Sequence, residues 1–403
     1  MMSGRFFYCL FLLTLASLWG CSAGNIPDSI NVSPYYEPLT ESQAEEIAGE
    51  VSIQSQGFES WMDLQAGLED SLGYILRRPQ QSVCVTRPGL TLTWEQVGDS
   101  VAELLALLPH LESHPELLSE HFEWLKVSPR TLLTGYYEPW LEASLTKGGV
   151  FQYPLYGVPE DLKTLNLGKF HHRWKGQTLV YRIGEDGVEP YLDREAIDGE
   201  GGLEGKGDEL AWAKDPVDVF FLQIQGSGRL VLRDGSVKHI LYGGKNGHKY
   251  VSLGKLLIER GFVPREEMSM QRIRAFLDAH PYVAQKLMFE NPSYVFFHLS
   301  DVGPYGSIGS ILTPRLSAAV DPTMVPLGSV LALKTNLMNY QSGETEPFTA
   351  LVLAQDTGGA IKGTRMDLFC GSGEEAENLA GHLQEESEVF MLVSKRTLAS
   401  AIK

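Results

Sequence analysis

Concentrated positive charge is missing from this sequence. Its 33 lysines and arginines are outnumbered by 51 aspartates and glutamates, for a formal net charge of −18. Phosphate backbones are held by clustered cations, so nucleic acid is excluded as a partner. The densest basic cluster, His171-His172-Arg173-Trp174-Lys175, is too short to cover a duplex. The same balance disfavours adsorption to anionic lipid through a polybasic patch. Cysteine is scarce, with four in 403 residues and none at zinc-ligand spacing from a second Cys or His, so no metal or other cofactor is expected. Catalytic signatures of several common enzyme classes are absent as well. There is no Gly-x-Ser-x-Gly elbow, and Gly226-Ser227-Gly228 is too short to be one. A single Asp-Thr-Gly at Asp356 cannot supply the carboxylate pair of an aspartic protease. Gly303-Pro304-Tyr305-Gly306-Ser307-Ile308-Gly309 lacks the Lys-Ser/Thr of a phosphate-binding loop.

Long apolar runs are lacking too, except at the start. Residues 6–19 are apolar and would extend about 21 Å as a helix, short of a comfortable membrane crossing. The run reads as the core of an export signal. It ends in Leu18-Trp19-Gly20-Cys21 followed by Ser22, a pattern that resembles a bacterial lipobox. That resemblance implies cleavage before Cys21, acylation of its thiol and, with Ser22 following, sorting to the outer membrane of a Gram-negative cell, facing the periplasm. Several acyl chains on one Cys supply stable anchoring. Plain cleavage, giving a soluble secreted protein, is the alternative. Of the remaining thiols, Cys84 and Cys370 could pair in an oxidising compartment or stay unpaired and buried.

What is present is apolar content and turn formers. Hydrophobic residues make up 43% of the chain, enough for two cores, and 41 Gly and 21 Pro punctuate many short runs. Mainly β structure with flanking helices is therefore expected. Residues 22–60 are polar and read as a tether. Trp61, Leu64, Leu68, Leu72 and Ile75 recur at helical steps. A short strand at Leu90–Thr93 precedes a helix whose start carries a Thr93/Gln96 capping box. Between 132 and 240 the runs are short and strand-like, with alternation at 217–225 and 229–233. Helices follow at 253–260 and 268–277, then strands at 294–298, 330–334 and 348–354, the last the most apolar. A helix at 374–383, capped by Ser372 with Glu375, and a strand at 389–394 close the chain.

Three glycine-rich polar segments lie between these strands: Thr134-Gly135-Tyr136-Tyr137-Glu138-Pro139, Gln223-Ile224-Gln225-Gly226-Ser227-Gly228, and residues 355–369 from Gln355 to Phe369. Glycines allow a ligand close to the backbone, and tyrosines offer flat faces to sugar rings. Gln223 and Gln225, two apart on the expected strand, would point to one side and bond sugar hydroxyls or acetamides. Each segment alone could be a tight turn; together they indicate a polar polymer as ligand.

These segments, with Asn291-Pro292-Ser293-Tyr294-Val295-Phe296-Phe297, Leu312-Thr313-Pro314-Arg315, Ala319-Val320-Asp321-Pro322 and Val325-Pro326-Leu327-Gly328, are similar to the membrane-bound lytic murein transglycosylase A family over about residues 90–395. The resemblance implies a double-psi β-barrel catalytic domain with an inserted second β-barrel domain and a groove between them for a glycan strand. The expected organisation is a signal at 1–21, the tether at 22–60, the first part of the catalytic domain at 61–137, the insert at 138–290 including the 253–277 helices, and the remainder at 291–403. It implies Asp367 as catalytic acid and base, with Asp356 supporting it and Thr134 lining the groove. Tyr136, Tyr137, Gln223, Gln225, Ser227, Gly358, Gly359 and Lys362 are the expected substrate-binding residues; Lys362 could equally be a solvated loop cation. Arg365 takes no role from the resemblance. The implied reaction cleaves the bond between N-acetylmuramic acid and N-acetylglucosamine of peptidoglycan by internal attack of the muramyl C6 hydroxyl. The chain is expected to act as a monomer on glycan strands, held to the membrane by its lipid. Two other readings stand beside this one. A hydrolytic glycanase would use Asp356 or Asp321 as a second carboxylate, and a wall-binding lipoprotein would have no catalysis.

Overall fold

The computed structural model describes residues 35–401, apart from positions 89, 129 and 341. Six strands close into a barrel in the order Gln384–Ser394, Val330–Met338, Thr345–Asp356, Ser317–Ala319, Met366–Ser372, Thr131–Glu138, and back to Gln384–Ser394. The short strand Ser317–Ala319 lies between Thr345–Asp356, to which it is parallel, and Met366–Ser372, to which it is antiparallel. A closed barrel is expected for this part of the chain, and the ring is one. Gln384–Ser394 does double duty. Its first residues pair with Thr131–Glu138, and its second half pairs with Phe122–Val127 outside the ring.

Residues 348–355 are buried without interruption, as the continuous apolar run demands. Helix Gln65–Leu76 covers this strand closely, and Gly67 permits it: a Cβ there would lie 3.0 Å from Leu316 and 3.1 Å from Leu353. Gln355, 1% exposed, donates to Gly67 O and Ser71 Oγ and accepts from Ser317 Oγ. Every polar atom of its side chain is bonded, so the strand end carrying Asp356 is pinned.

The expected tether at 22–60 is overturned from Tyr36 onward. Tyr36–Pro38 pairs with Phe122–Val127, and the Tyr36 hydroxyl donates to Met324 O. Helix Glu41–Glu50, opened by a Thr40/Gln43 capping box, buries Ala44, Ile47 and Ala48. A helix of mostly polar residues can still dock when three or four small apolar side chains share one face. The Cys21 lipidation site and the export signal lie outside the described residues.

The insert forms its own six-stranded sheet, in the order Val295–Ser300, Val237–Lys245, Gly228–Leu232, Trp140–Ser144, Glu209–Ala213, Tyr153–Tyr156. A bridge between Gly157 and Phe297 brings its edges together, so a second barrel is nearly closed. Its core of Leu141, Leu155, Ala211, Leu222, Leu230, Ile240 and Phe297 is separate from that of the first barrel. Because Val295–Ser300 belongs to this sheet, the insert runs past the expected boundary at 290.

Residues 217–225 form not a strand but the helix Pro216–Gln225. Asp215 caps it, Pro216 occupies its first turn and Gly226 ends it at φ 85°. The alternation misled because this helix is apolar on nearly every side. Val219 and Leu222 face the barrel core, whereas Val217, Phe220 and Phe221 face a helical core built with Leu253–Glu259, Met270–Ala279 and Pro281–Phe289. The Ser372/Glu375 box is not used either. Gly373 is the N-cap of Glu374–His382, with no side-chain cap, and Glu375 pairs with Arg315 instead. The Thr93/Gln96 box does form.

Candidate active site

Parallel pairing of Met366–Ser372 with Thr131–Glu138 sets Asp367 directly beside Thr134. The Thr134 hydroxyl donates to Asp367 Oδ1 at 2.7 Å. Arg365 Nη2 in turn donates to Thr134 Oγ1 at 3.3 Å, giving a short chain from guanidinium to hydroxyl to carboxyl. Asp367 keeps some exposure but is otherwise surrounded by protein. Burial pushes its carboxyl up to about 6, and the Asp356 charge adds to the rise; the Thr134 hydrogen bond and the Arg365 charge offset part of it. A carboxyl in that range can both give and take a proton near neutral pH.

Asp356, at the end of Thr345–Asp356, is fastened on three sides. Tyr136 OH donates to Oδ2 at 3.0 Å, and the Ser307 N–H and hydroxyl donate to Oδ1 at 3.0 and 2.9 Å. Burial raises its proton affinity, opposed by the Thr357 N–H, Ser307 and Tyr136. The Tyr136 hydroxyl is pushed well above its ordinary value, first by burial and then by the Asp356 charge, so it remains a donor. Its ring meets Phe369 at 5.2 Å.

Ser307 was not among the expected site residues. It comes from the glycine-rich segment that fails as a phosphate loop, and a close approach explains those glycines. A Cβ at Gly306 would lie 2.5 Å from Gln355 O, so only glycine lets this loop reach Asp356. Arg365 and Tyr250 are likewise unforeseen. Burial raises the hydroxyl of Tyr250, on the insert, and the Ser252 hydrogen bond and then the Arg365 charge oppose the rise.

Other expected binding residues fall elsewhere. Tyr137 is 5% exposed, its ring inward with the hydroxyl toward Glu377. Gln223 is buried on the helix, its amide meets no partner among the described residues, and it does not share a face with Gln225. A helix turns successive side chains by about 100°, which separates residues two apart. Gln225 Oε1 accepts from the Tyr137 N–H at 3.1 Å, tying the insert to the barrel strand. Ser227 is half-buried next to it, and Gly358 and Gly359 lie in the loop just after Asp356. Lys362 is exposed and acts on Asp321.

Asp321 is a loop organiser. It accepts from Gly363 N, Thr323 N and Thr323 Oγ1. Burial would raise its carboxyl, but those donors and Lys362 hold it below its ordinary value. The alternative that makes it a second catalytic carboxylate therefore loses its support. Among the described residues Cys84 and Cys370 are unpaired thiols, the latter pushed far up by burial.

Residues 132–298 match the family model described as MltA specific insert domain, and residues 316–393 match the 3D domain. The chain is 34% identical over 267 residues to a Vibrio cholerae protein named membrane-bound lytic murein transglycosylase A; the match spans 65% of each chain. Among solved structures, a membrane-bound lytic murein transglycosylase from Agrobacterium tumefaciens superposes with TM-score 0.76 at 29% identity, over 91% of this chain and 99% of that one. An Escherichia coli MltA solved with bound chitohexaose superposes with TM-score 0.63 at 27% identity, over 82% and 90% respectively.

Proposed function

We propose that this chain, which belongs to the MltA family, is a lytic transglycosylase that cleaves the β-1,4 bond between N-acetylmuramic acid and N-acetylglucosamine in peptidoglycan. Cleavage consumes no water and leaves 1,6-anhydromuramyl ends. The observation that carries this reading is the Asp367 carboxyl, pushed up to about 6, beside Asp356, whose carboxylate accepts three hydrogen bonds that hold it in place. Two-carboxylate hydrolysis needs a second group free to activate water or attack the sugar. Asp356 is occupied by Tyr136 and Ser307, and Asp321 by Gly363 and Thr323.

In this mechanism protonated Asp367 donates to the bridging oxygen as the bond to muramyl C1 breaks, freeing the N-acetylglucosamine 4-hydroxyl. The muramyl C6 hydroxyl attacks C1, and the carboxylate just formed on Asp367 takes the C6 proton. Thr134 holds Oδ1, which leaves Oδ2 to carry the proton. Asp356, fixed in place, offers negative charge to the positive charge developing at C1. The C6 hydroxyl belongs to the reacting sugar, so it outcompetes bulk water by effective concentration. Tyr136, Gln225, Ser227, Gly358 and Gly359 are the proposed glycan contacts. No step calls for a metal or cofactor.

Digestion of purified cell walls separates this from the hydrolytic reading. Mass spectrometry should find muramyl ends lighter by one water than reducing ends. Reducing ends carrying oxygen from labelled water would defeat the proposal. The relatives' names as membrane-bound proteins and the Cys21 lipobox support a lipid-anchored enzyme on the periplasmic side of the outer membrane. Cys21→Ser should move the protein from the membrane to the soluble fraction; unchanged fractionation would remove the lipid from the account.

A further inference from the structure

We propose that Arg365 is a substrate-positioning residue that binds a carboxylate carried on the lactyl arm of the N-acetylmuramic acid being cleaved. The inference deepens the transglycosylase reading and rests on it. Arg365 lies two residues before Asp367 on the approach to the same strand. Among the described residues its side chain makes one hydrogen bond, from Nη2 to Thr134 Oγ1, and no carboxylate pairs with it. Its Nε is buried and has no acceptor. A guanidinium carries five N–H donors and keeps its charge at any physiological pH. The Arg365 side chain is partly exposed, so its outer donors are open to solvent, and the buried Nε beside the catalytic acid is the donor an incoming anion would satisfy. The chain makes the contrast itself. Arg229, Arg274 and Arg315 are each engaged by a carboxylate.

The geometry restricts which anion that is. Arg365 and Asp367 both bond Thr134 Oγ1, so the guanidinium and the reacting carboxyl serve one sugar. The sugar bonded through its C1 to the scissile oxygen is the muramyl residue. It differs from N-acetylglucosamine in the 3-O-lactyl arm, which ends in a free carboxylate on strands stripped of peptide and in an amide-linked peptide, with carboxylates further out, on others. Carboxylate and guanidinium match as a planar bidentate pair.

The test measures binding, in an Asp367→Asn background that cannot turn substrate over. Three ligands are compared by calorimetry: chitohexaose, which has no lactyl arm; a peptide-free tetrasaccharide of alternating N-acetylglucosamine and N-acetylmuramic acid; and the same tetrasaccharide with stem peptides. Adding Arg365→Gln should weaken one of the two muramyl ligands about tenfold to a hundredfold while leaving chitohexaose unchanged. Loss on the peptide-free ligand identifies the lactyl carboxylate, and loss on the peptide-bearing one identifies a peptide carboxylate. Arg365→Lys should recover part of the loss, since it restores charge without the fork. Equal affinities for all three ligands with and without Arg365 would overturn the inference, as would equal loss on all three. If the Asp367→Asn protein binds none of them, the glycan-cleaving reading itself falls.

Discussion

Asp367→Asn is expected to lose turnover by about a thousandfold or more while the protein becomes more stable at neutral pH. A general acid contributes about 10²–10⁴-fold, and here the same group also serves as the base. Asparagine keeps the shape and still accepts from Thr134, so folding and glycan binding should persist. The stability effect has a definite sign. The Asp367 carboxyl is raised to about 6 in the fold, above roughly 3.9 in an unfolded chain. The native state therefore holds this proton more tightly, and the stability it gives is complete below about pH 4 and lost as pH rises through about 6. Above that, the ionised carboxylate costs on the order of 1–3 kcal/mol, the lower figure allowing for its partial exposure. Urea denaturation should show the Asn variant ahead of the parent at pH 7.5 and level with it near pH 4. Parent turnover should fall as pH rises past 6, because the donor form is depleted. Near-parental rates from the Asn variant would remove Asp367 from its role.

Glu138→Ala should cost about 1–3 kcal/mol of stability, read as a lowered urea midpoint. Glu138 is 0% exposed at the point where the barrel strand passes into the insert. Its carboxylate takes Arg229 Nε at 3.0 Å and His239 Nδ1 at 3.2 Å, both from the insert's sheet. Removing the acid takes away the charged partner of Arg229, whose side chain is 29% exposed, so water takes up part of the guanidinium and the lost charge-assisted hydrogen bonds set the size of the effect. Arg229 also lies 5.5 Å from the centre of the Trp140 ring, so some of its charge is still accommodated. Replacing Glu138 and Arg229 together with Met should recover much of the loss, because no unpaired charge remains. A single-variant change below about 1 kcal/mol would show that the junction is held by packing instead.

Helix Trp94–Leu107 and its capping box were legible because Thr93 and Gln96 satisfy each other within one turn. The buried strand at 348–354 was legible for a similar reason, since an unbroken apolar run has few other places to go. Pro216–Gln225 defeated its pattern. Its Asp-Pro start and Gly end are sound helix signals, yet burial on both sides erased the polar face that reveals a helix's period. The same misreading put Gln223 into a binding face it does not share. Residues 36–60 look like linker by composition, but Tyr36, Ile47 and Ile53 each find a buried place against elements far along the chain.

By itself the amino-acid order determined the mainly β class, the three glycine-rich segments and the lone Asp-Thr-Gly, because turns, caps and apolar runs act within a few residues of one another. It also singled out Asp367 and Asp356 through their resemblance to a family's loop. Only tertiary structure decided what those carboxyls can do. Thr134 and Asp367 are 233 positions apart, and Tyr136 and Asp356 are 220 apart. Barrel closure brings them into contact, and the proton affinity of Asp367 follows from the water that closure removes and the charges it gathers.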